Sequence, residues 1–435
     1  MGGTWTSQNK VRPGTYVNVS AAEVNPELNN AGVVAMGLDL SFGDERTVVE
    51  ITKSTDTLPI FGYYLEDIVP LNEALKRGTK VLAYRLNANT GDKATVTTGN
   101  LTATAKYTGT RGNDLDVVIV DVGGGDFRVD SYLGTILVDT QTTDTVDNLV
   151  ANDYIDFSGT GVLAATAGVS LASGTDETVD AAAHTAFRTA IETYEFNVIA
   201  LYDETDSGIK ASYKSFIQEL RDSQGVKVQL VAENYLADYE GVVSVKNGVV
   251  LSDGTSLTAA KCTAYIAGAI AKAYDTGNSL TYDVYDGAVD TVTKYTNAQI
   301  ETAIEAGEML FRVKNGVVKI EYDINTLVTY TSEKTATFSK GRIVRTLDKL
   351  NNDIVDIGED YVIGKIDNNG VGRSTYRSMI IKVIDEYTNK GLITNFDPST
   401  DIIVSAGTAV DAVVVGLAIQ PVDSIDKVYM TITVN

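Results

Sequence analysis

The sequence has little of several residue types on which protein chemistry depends. Its 435 residues contain one cysteine, one histidine, one tryptophan and six prolines. A single Cys262 cannot form an intramolecular disulfide, and a single His184 leaves no partner for a histidine metal pair or a nucleophile relay. We expect Cys262 to be a buried core residue of a helix over 257–274, and His184 to have a structural role.

Long apolar runs are also missing. No stretch approaches the ~20 apolar residues that a membrane helix needs, so we expect no membrane insertion. The first residues, Met1 to Ser7, lack the basic start and apolar run of a signal peptide. We therefore expect synthesis and folding in the cytoplasm.

Positive charge is scarce. The formal net charge is −23, which argues against nucleic acid as a partner because phosphate binding needs clustered lysine and arginine. Residues 90–180 have four basic and fourteen acidic residues, a net of 4 − 14 = −10, whereas residues 331–435 have eleven and fourteen, a net of −3. The first segment is typical of a solvated outer face, and the second of a surface that meets other protein.

The motifs of enzymes and cofactor sites are missing as well. The acidic runs at 203–206, 353–360 and 423–426 lack the spacing of a calcium loop, and we favour solvated loops and caps over an ion site. Gly123 to Gly125 is followed by neither Lys-Ser/Thr nor a helix, which favours a turn or bulge over a phosphate loop. The sequence thus predicts no catalytic residues, no metal ligands and no cofactor, although a carboxylate enzyme whose acids converge in a cleft stays open.

What is present indicates an α/β (α+β) multidomain fold. Strand and helix patterns alternate before residue 90 and resume after 180, and between them lies a threonine-rich, proline-free segment of short β-prone runs. The sequence predicts an α/β core with an inserted all-β domain, a C-terminal α/β domain and extended β-arms at both termini. The expected bounds are an N-terminal β-arm at 1–24, the α/β core at 25–90 and 181–330, a β-rich outer domain at 91–180, a C-terminal domain at 331–420, and a C-terminal β-arm at 421–435.

Both ends of the chain show the alternation of a β-strand. A terminal strand without a return partner must pair its backbone groups elsewhere, and adding it to a neighbouring copy is one solution. Pairing within its own chain is the alternative. We also expect a strand pair between 411–420 and 424–434, broken at Pro421. The predicted inter-subunit residues are Thr15, Tyr16, Val17, Val19, Val428, Tyr429, Met430, Ile432 and Val434.

Three segments resemble the contractile tail sheath proteins of bacteriophages, particularly those of Gram-positive hosts, and of R-type phage-tail-like bacteriocins. Residues 10–16 (KVRPGTY) resemble the opening of that family, and 107–114 (YTGTRGND) resemble its "PGxxGN" turn, with Thr108 where proline is common. Residues 419–429 (IQPVDSIDKVY) are similar to its closing "xxPVDSxEKIY" run, the most specific of the three.

The resemblance implies a structural protein that forms stacked hexameric rings around an inner tube and contracts to drive that tube through a target cell envelope. It implies partners: other copies of the chain, the inner tail tube protein, and baseplate and tail terminator proteins. Assembly would occur in the bacterial host cytoplasm, giving a virion tail or a released extracellular bacteriocin particle. The rival reading, an exported surface-layer or adhesin-like protein, would need the export signal that we do not find.

Under the same resemblance, one helix of the C-terminal domain is a candidate for the surface that faces the inner tube. The helix is predicted from Ser374 to Asn389, and its apolar residues supply its own core. A solvated face is the alternative. The candidate tube-facing residues are Arg373, Arg377 and Lys382.

Overall fold

The computed structural model describes residues 32–87 and 90–434. The predicted N-terminal arm, with Thr15, Tyr16, Val17 and Val19, lies outside the described residues. Two compact units share the described chain. We call residues 353–389 with 395–420 the small unit, and residues 32–352, 390–394 and 421–434 the large unit.

The secondary structure alternates between helices and strands outside a central all-β stretch. Up to residue 170 the elements are β1 (Val33–Leu38), β2 (Val48–Ile51), α1 (Leu58–Phe61), α2 (Val69–Leu75), β3 (Lys80–Arg85), β4 (Lys93–Thr98), β5 (Leu101–Thr108), β6 (Leu115–Gly123), β7 (Asp126–Leu133), β8 (Ile136–Thr143), β9 (Ile155–Gly159) and β10 (Thr166–Ser170). The following elements are α3 (Ala181–Ile191), β11 (Val198–Ala200), α4 (Ser207–Gln218), β12 (Gln229–Glu233), β13 (Val242–Val245), β14 (Val249–Leu251), β15 (Ser256–Leu257), α5 (Ala259–Thr276), β16 (Ala288–Thr291), α6 (Asn297–Glu305), β17 (Glu308–Met309), β18 (Phe311–Lys314), β19 (Val317–Ile320), α7 (Gly341–Ile357), α8 (Gly370–Asn389), β20 (Ile393–Thr394), β21 (Ile402–Ala406), β22 (Val413–Leu417) and β23 (Gln420–Pro421).

A seven-stranded sheet forms the centre of the large unit, in the order β17-β13-β12-β11-β1-β3-β2. All neighbours are parallel except the edge strand β2, which is antiparallel to β3. The sheet is buried on both faces, as parallel sheets usually are: Val34 and Met36 of β1 pack with α2 and α5, and Ala35 packs on the opposite side with α3 and α4. The predicted α/β core is therefore a doubly wound sheet with helices on both faces.

Close helix packing on one face depends on a glycine. A Cβ atom added to Gly268 of α5 would lie 2.1 Å from the carbonyl oxygen of Ala74 in α2. No side chain fits in that space, and this explains a glycine within an otherwise alanine-rich helix. Cys262 lies in the same helix and is buried, and burial raises the pKa of its thiol to about 12. The prediction of a buried core cysteine is confirmed.

The β-rich insertion contains two antiparallel sheets, β4-β5-β9 and β10-β6-β7-β8. Gly124 and Gly125 form the turn between β6 and β7, and Gly123 ends β6 next to a shift in its pairing register. All three glycines have positive φ with open space around them, which confirms a turn with a bulge beside it. The insertion shares its hydrophobic core with residues that precede it. Phe42 is fully buried against the rings of Tyr107 and Tyr154, with centroids 5.1 and 6.2 Å away.

Two buried ion pairs fasten the first turns of α7 to the large unit. Arg345 and Asp323 are each 2 % exposed and make two hydrogen bonds of 2.5 and 3.0 Å. Arg221 similarly makes bonds of 2.6 and 2.9 Å to Asp348, which also accepts a hydrogen bond from the Tyr274 hydroxyl at 3.0 Å. The charged residues Arg345 and Asp348 of α7 therefore hold the helix in its place within the large unit.

In the small unit, α8 packs against an antiparallel hairpin of β21 and β22. The predicted pairing of 411–420 with 424–434 is wrong: β22 pairs with β21, and residues 422–434 form no strand in the described chain. The apolar run Ile402–Val404, between Asp401 and Gly407, supplies the strand that pairs with β22. Residues 424–434 therefore have no strand partner in the described chain.

Candidate assembly interface

The end of the chain exposes a run of large apolar side chains. Val428, Met430, Ile432 and Val434 are 75 to 90 % exposed, and Tyr429 is 91 % exposed. Contiguous exposed apolar residues of this kind mark interaction surfaces. We call residues 427–434 the arm tip.

The residues just before the arm tip are held by the large unit. The amide of Val422 donates to the carbonyl of Leu392 at 2.9 Å, and Lys340 Nζ lies 2.6 Å from Asp426 and 3.5 Å from Asp423. We call residues 421–426 the arm root. The predicted C-terminal arm therefore has a fixed first half and an exposed second half.

The β21–β22 hairpin offers unpaired strand edges. In the described chain neither outer edge pairs with another strand, and one face packs on α8 through residues such as Ile402. The other face exposes Ile403 (63 %) and Val414 (56 %). Unpaired edges beside exposed β-branched residues are a template for an added strand.

The three candidate tube-facing residues lie on α8, and two of them make hydrogen bonds outside the helix. Arg377 donates to the carbonyls of Pro398 and, at 3.3 Å, Ile402. Arg373 donates to the Asn368 side chain at 2.8 Å. Of the three residues predicted together, Arg377 therefore contacts the hairpin directly and Arg373 contacts the turn before α8, whereas Lys382 lies half-buried farther along α8.

Asn368 extends this network from the turn before α8. Its amide nitrogen donates to the carbonyls of Val410 and Ala412 at 2.8 and 2.9 Å. The helix start and the hairpin turn are thus tied to each other within the small unit, which fixes the orientation of the unpaired edges.

A cleft of about 500 Å³ lies at the carboxyl ends of β1 and β11, where open α/β sheets commonly bind ligands. His184 Nδ1 shares a 2.9 Å hydrogen bond with the Tyr213 hydroxyl, and its Nε2 lies 3.3 Å from Glu204. Burial lowers the pKa of His184, and Glu204 opposes that shift. Lys261 lies 3.5 Å from Asp203. The cleft is lined by four acidic residues, Asp39, Asp67, Asp203 and Glu204. Of these, Asp203 pairs with Lys261 of α5, and Glu204 contacts the His184 ring of α3.

The described residues include neither a candidate metal cluster nor a candidate membrane span. In residues 32–87 and 90–434 no group of three or more His, Cys, Asp or Glu side chains is arranged to hold a metal ion. Within the same ranges no helix is long and apolar enough to cross a membrane.

Comparisons with known proteins show which family the chain resembles along its length. Four family domains match successive parts of the chain: tail sheath protein Gp18 domain III N-terminal region at 31–86, phage tail sheath protein beta-sandwich domain at 88–176, phage tail sheath protein central domain at 177–326, and phage tail sheath C-terminal domain at 333–435.

Individual proteins are similar over nearly the whole chain. The crystal structure of the sheath tail protein from Desulfitobacterium hafniense is 44 % identical, with a TM-score of 0.87, and the match covers 95 % of this chain and 97 % of that one. The phage-like element PBSX protein XkdK of Bacillus subtilis (strain 168) is 36 % identical over 100 % of both chains. The helical sheath of the anti-feeding prophage in its contracted state is 12 % identical, covers 97 % of this chain and 98 % of its own, and has a TM-score of 0.57, which shows a shared fold.

Proposed function

Because the chain belongs to the phage tail sheath protein family, we propose that it forms stacked hexameric rings around an inner tube and contracts to drive the tube through a target envelope. The observation that carries this proposal is the exposed apolar arm tip, in a chain that also presents a hairpin with two unpaired edges. The likeness to a contracted helical sheath supports the same fold in such an assembly. The mechanism uses protein surfaces and no chemical reaction.

In this proposal the arm tip becomes a strand of a neighbouring copy. Residues Val428 to Val434 alternate as a strand requires, and the neighbour's β21–β22 hairpin supplies an edge for main-chain hydrogen bonds. Exposed Ile403 and Val414 of that hairpin would pack beside the added side chains. Residues 15–19, by the same alternation, form the arm donated from the other end of the chain. A head-to-tail contact that does not close on itself builds helical arrays.

Contraction then moves subunits as rigid bodies while the arms keep neighbours linked. The buried ion pairs of α7 and the doubly wound sheet make the large unit stiff, so rotation and sliding at interfaces are the available motion. The extended lattice is a kinetically trapped state that gains interface as it contracts.

We assign the face of α8 with Arg373, Arg377 and Lys382 to the inner tube protein, whose acidic groups would complement these cations. Residues 91–180 face outwards in this proposal, because residues 90–180 have a net charge of −10. Baseplate and tail terminator proteins cap the array, which is assembled in the bacterial cytoplasm and ends in a virion or a released bacteriocin particle.

Negative-stain microscopy of the purified protein tests the proposal. We expect tubes or rings, whereas flat sheets would indicate a surface-layer protein and isolated compact particles would argue against a sheath. Deletion of residues 424–435 should leave folded monomers that do not polymerise. Val150→Ser, which changes an apolar residue of the insertion that is 69 % exposed, is the matched control and should assemble normally. Normal tubes from the deletion variant would refute strand donation.

A further inference from the structure

The family-like run at 419–429 contains two aspartates that flank one lysine of the large unit. Lys340 Nζ is 2.6 Å from Asp426 Oδ2 and 3.5 Å from Asp423 Oδ2. The Asp426 side chain is 9 % exposed and that of Lys340 is 23 % exposed, so water screens this pair less than a surface ion pair. The acidic residues at 423–426, which the sequence assigned to solvated loops, are thus partly engaged.

Further hydrogen bonds fix the arm root around this pair. Ser424 Oγ donates to Asp426 Oδ1 at 2.8 Å, and the Ser424 amide donates to Asp423 Oδ1 at 2.8 Å. Lys340 also bonds to the hydroxyl of Tyr322, whose ring centroid is 4.4 Å from Nζ. With the bond from Val422 to Leu392, the arm root is tied to the large unit at both of its ends.

The base of this arrangement is rigid. Lys340 directly precedes α7, and the amide of the next residue, Gly341, donates to the carbonyl of Asp323 at 3.0 Å. The carboxylate of the same Asp323 forms the buried pair with Arg345 one turn into the helix. The backbone contact of Gly341 and the side-chain contact of Arg345, both with Asp323, therefore fix the start of α7 and with it the position of Lys340.

The pattern of exposure changes where these contacts end. In the arm root, half-buried residues 422, 424 and 426 alternate with the exposed Asp423 and Ile425, whereas every residue from 427 to 434 is exposed. We propose that Lys340, Asp423 and Asp426 form a root clamp that sets where the C-terminal arm leaves the large unit, so that only the arm tip reaches a neighbouring copy. At about 3.3 Å per residue, the eight residues of the arm tip span roughly 26 Å, which limits how far the acceptor hairpin can lie.

This inference rests on the proposed strand donation, and it makes the root clamp a positioning device. A loosened root would let the whole arm sample more space, which lowers the effective concentration of the tip at the acceptor. Lys340→Met should therefore raise the protein concentration needed for tube formation about tenfold. This factor corresponds to the lower end of the free-energy range for losing one hydrogen bond to a charged group. Lys340→Arg keeps the charge and should recover most of the loss.

The experiment combines hydrogen exchange of the monomer with light scattering of assembly. In Lys340→Met we expect faster exchange of the Val422 and Ser424 amides, unchanged exchange in the central sheet, and a higher assembly concentration. Lys294→Met is the matched control, because it removes a lysine that pairs with Asp290 at 2.9 Å but is 71 % exposed. Its exchange and assembly should match the wild type.

Two results would overturn the root clamp. The first is amide hydrogen exchange at the arm root that is as fast in the wild type as in Lys340→Met. This measurement is made on the monomer and does not require assembly. The other is wild-type tube formation by Lys340→Met despite a loosened root. A wild-type protein that forms no tubes contradicts the proposed function instead, and the exchange measurement still decides whether the root is clamped.

Discussion

Removing the charge of Asp323 should destabilise the large unit more than any change to a surface ion pair. The carboxylate is 2 % exposed and accepts three hydrogen bonds, from both terminal nitrogens of Arg345 and from the amide of Leu280 at 2.9 Å. Asp323→Asn keeps the shape and leaves the guanidinium buried without a counter-charge. Breaking a buried pair in this way costs about 3–5 kcal/mol.

Urea unfolding followed by circular dichroism measures this loss. With a slope of about 3 kcal/mol/M, a loss of that size lowers the midpoint by roughly 1–1.7 M. Glu50→Gln is the matched control, because its pair with Lys80 at 3.2 Å is largely exposed, and it should change stability by less than about 1 kcal/mol.

A double variant separates loss of the pair from loss of the carboxylate. Asp323→Leu with Arg345→Met removes both charges and replaces them with apolar side chains, which is often neutral for buried pairs. We expect it to be more stable than Asp323→Asn alone. A single variant within 1 kcal/mol of the wild type, or a double variant less stable than the single, would refute the reasoning.

Three further predictions follow from the large unit. Gly268→Val should lower the thermal midpoint by several degrees, measured by circular dichroism, because its side chain would overlap the backbone of Ala74. Cys262 should not react with a thiol reagent at pH 8 in the folded protein, because a thiol with a pKa of about 12 is only about one part in ten thousand ionised there; it should react fully in denaturant. Clean excision of residues 91–180 should give protein that aggregates on gel filtration because it uncovers Phe42, whereas the same excision with Phe42→Ser should be soluble and form tubes by microscopy.

Much of the fold follows from local patterns. The Asn315-Gly316 pair predicts a hairpin, and both residues have the positive φ of such a turn, at 54° and 76°, between β18 and β19. The alanine-rich helix around Cys262 is confirmed as α5. In each case the residues that predict the element are neighbours in the sequence.

Other features depend on residues that are far apart in sequence. Arg221 and Asp348 are 127 positions apart, and nothing local says that these two charges are buried together. The β21 strand was missed although Ile402 to Val404 is a short apolar run between turn residues, a pattern that could have found it. Because that strand was missed, β22 was paired with the wrong segment. The contacts of Lys340 with the arm root likewise join residues 86 positions apart.

The root clamp has an energetic consequence for assembly. Ordering the seven residues from Val428 to Val434 costs about 7–14 kcal/mol at roughly 1–2 kcal/mol each. Burying the apolar side chains of one face contributes roughly 6–12 kcal/mol, and main-chain hydrogen bonds add about 1 kcal/mol each. One donated strand is therefore only modestly favourable. If residues 421–426 also had to be ordered during assembly, another 6–12 kcal/mol would oppose it, enough to cancel the gain. Because Lys340 already fixes the arm root when the subunit folds, the entropy cost of ordering residues 421–426 is part of folding and not of assembly. The hydrophobic core of the large unit offsets that cost. A short arm is therefore enough to link neighbouring copies.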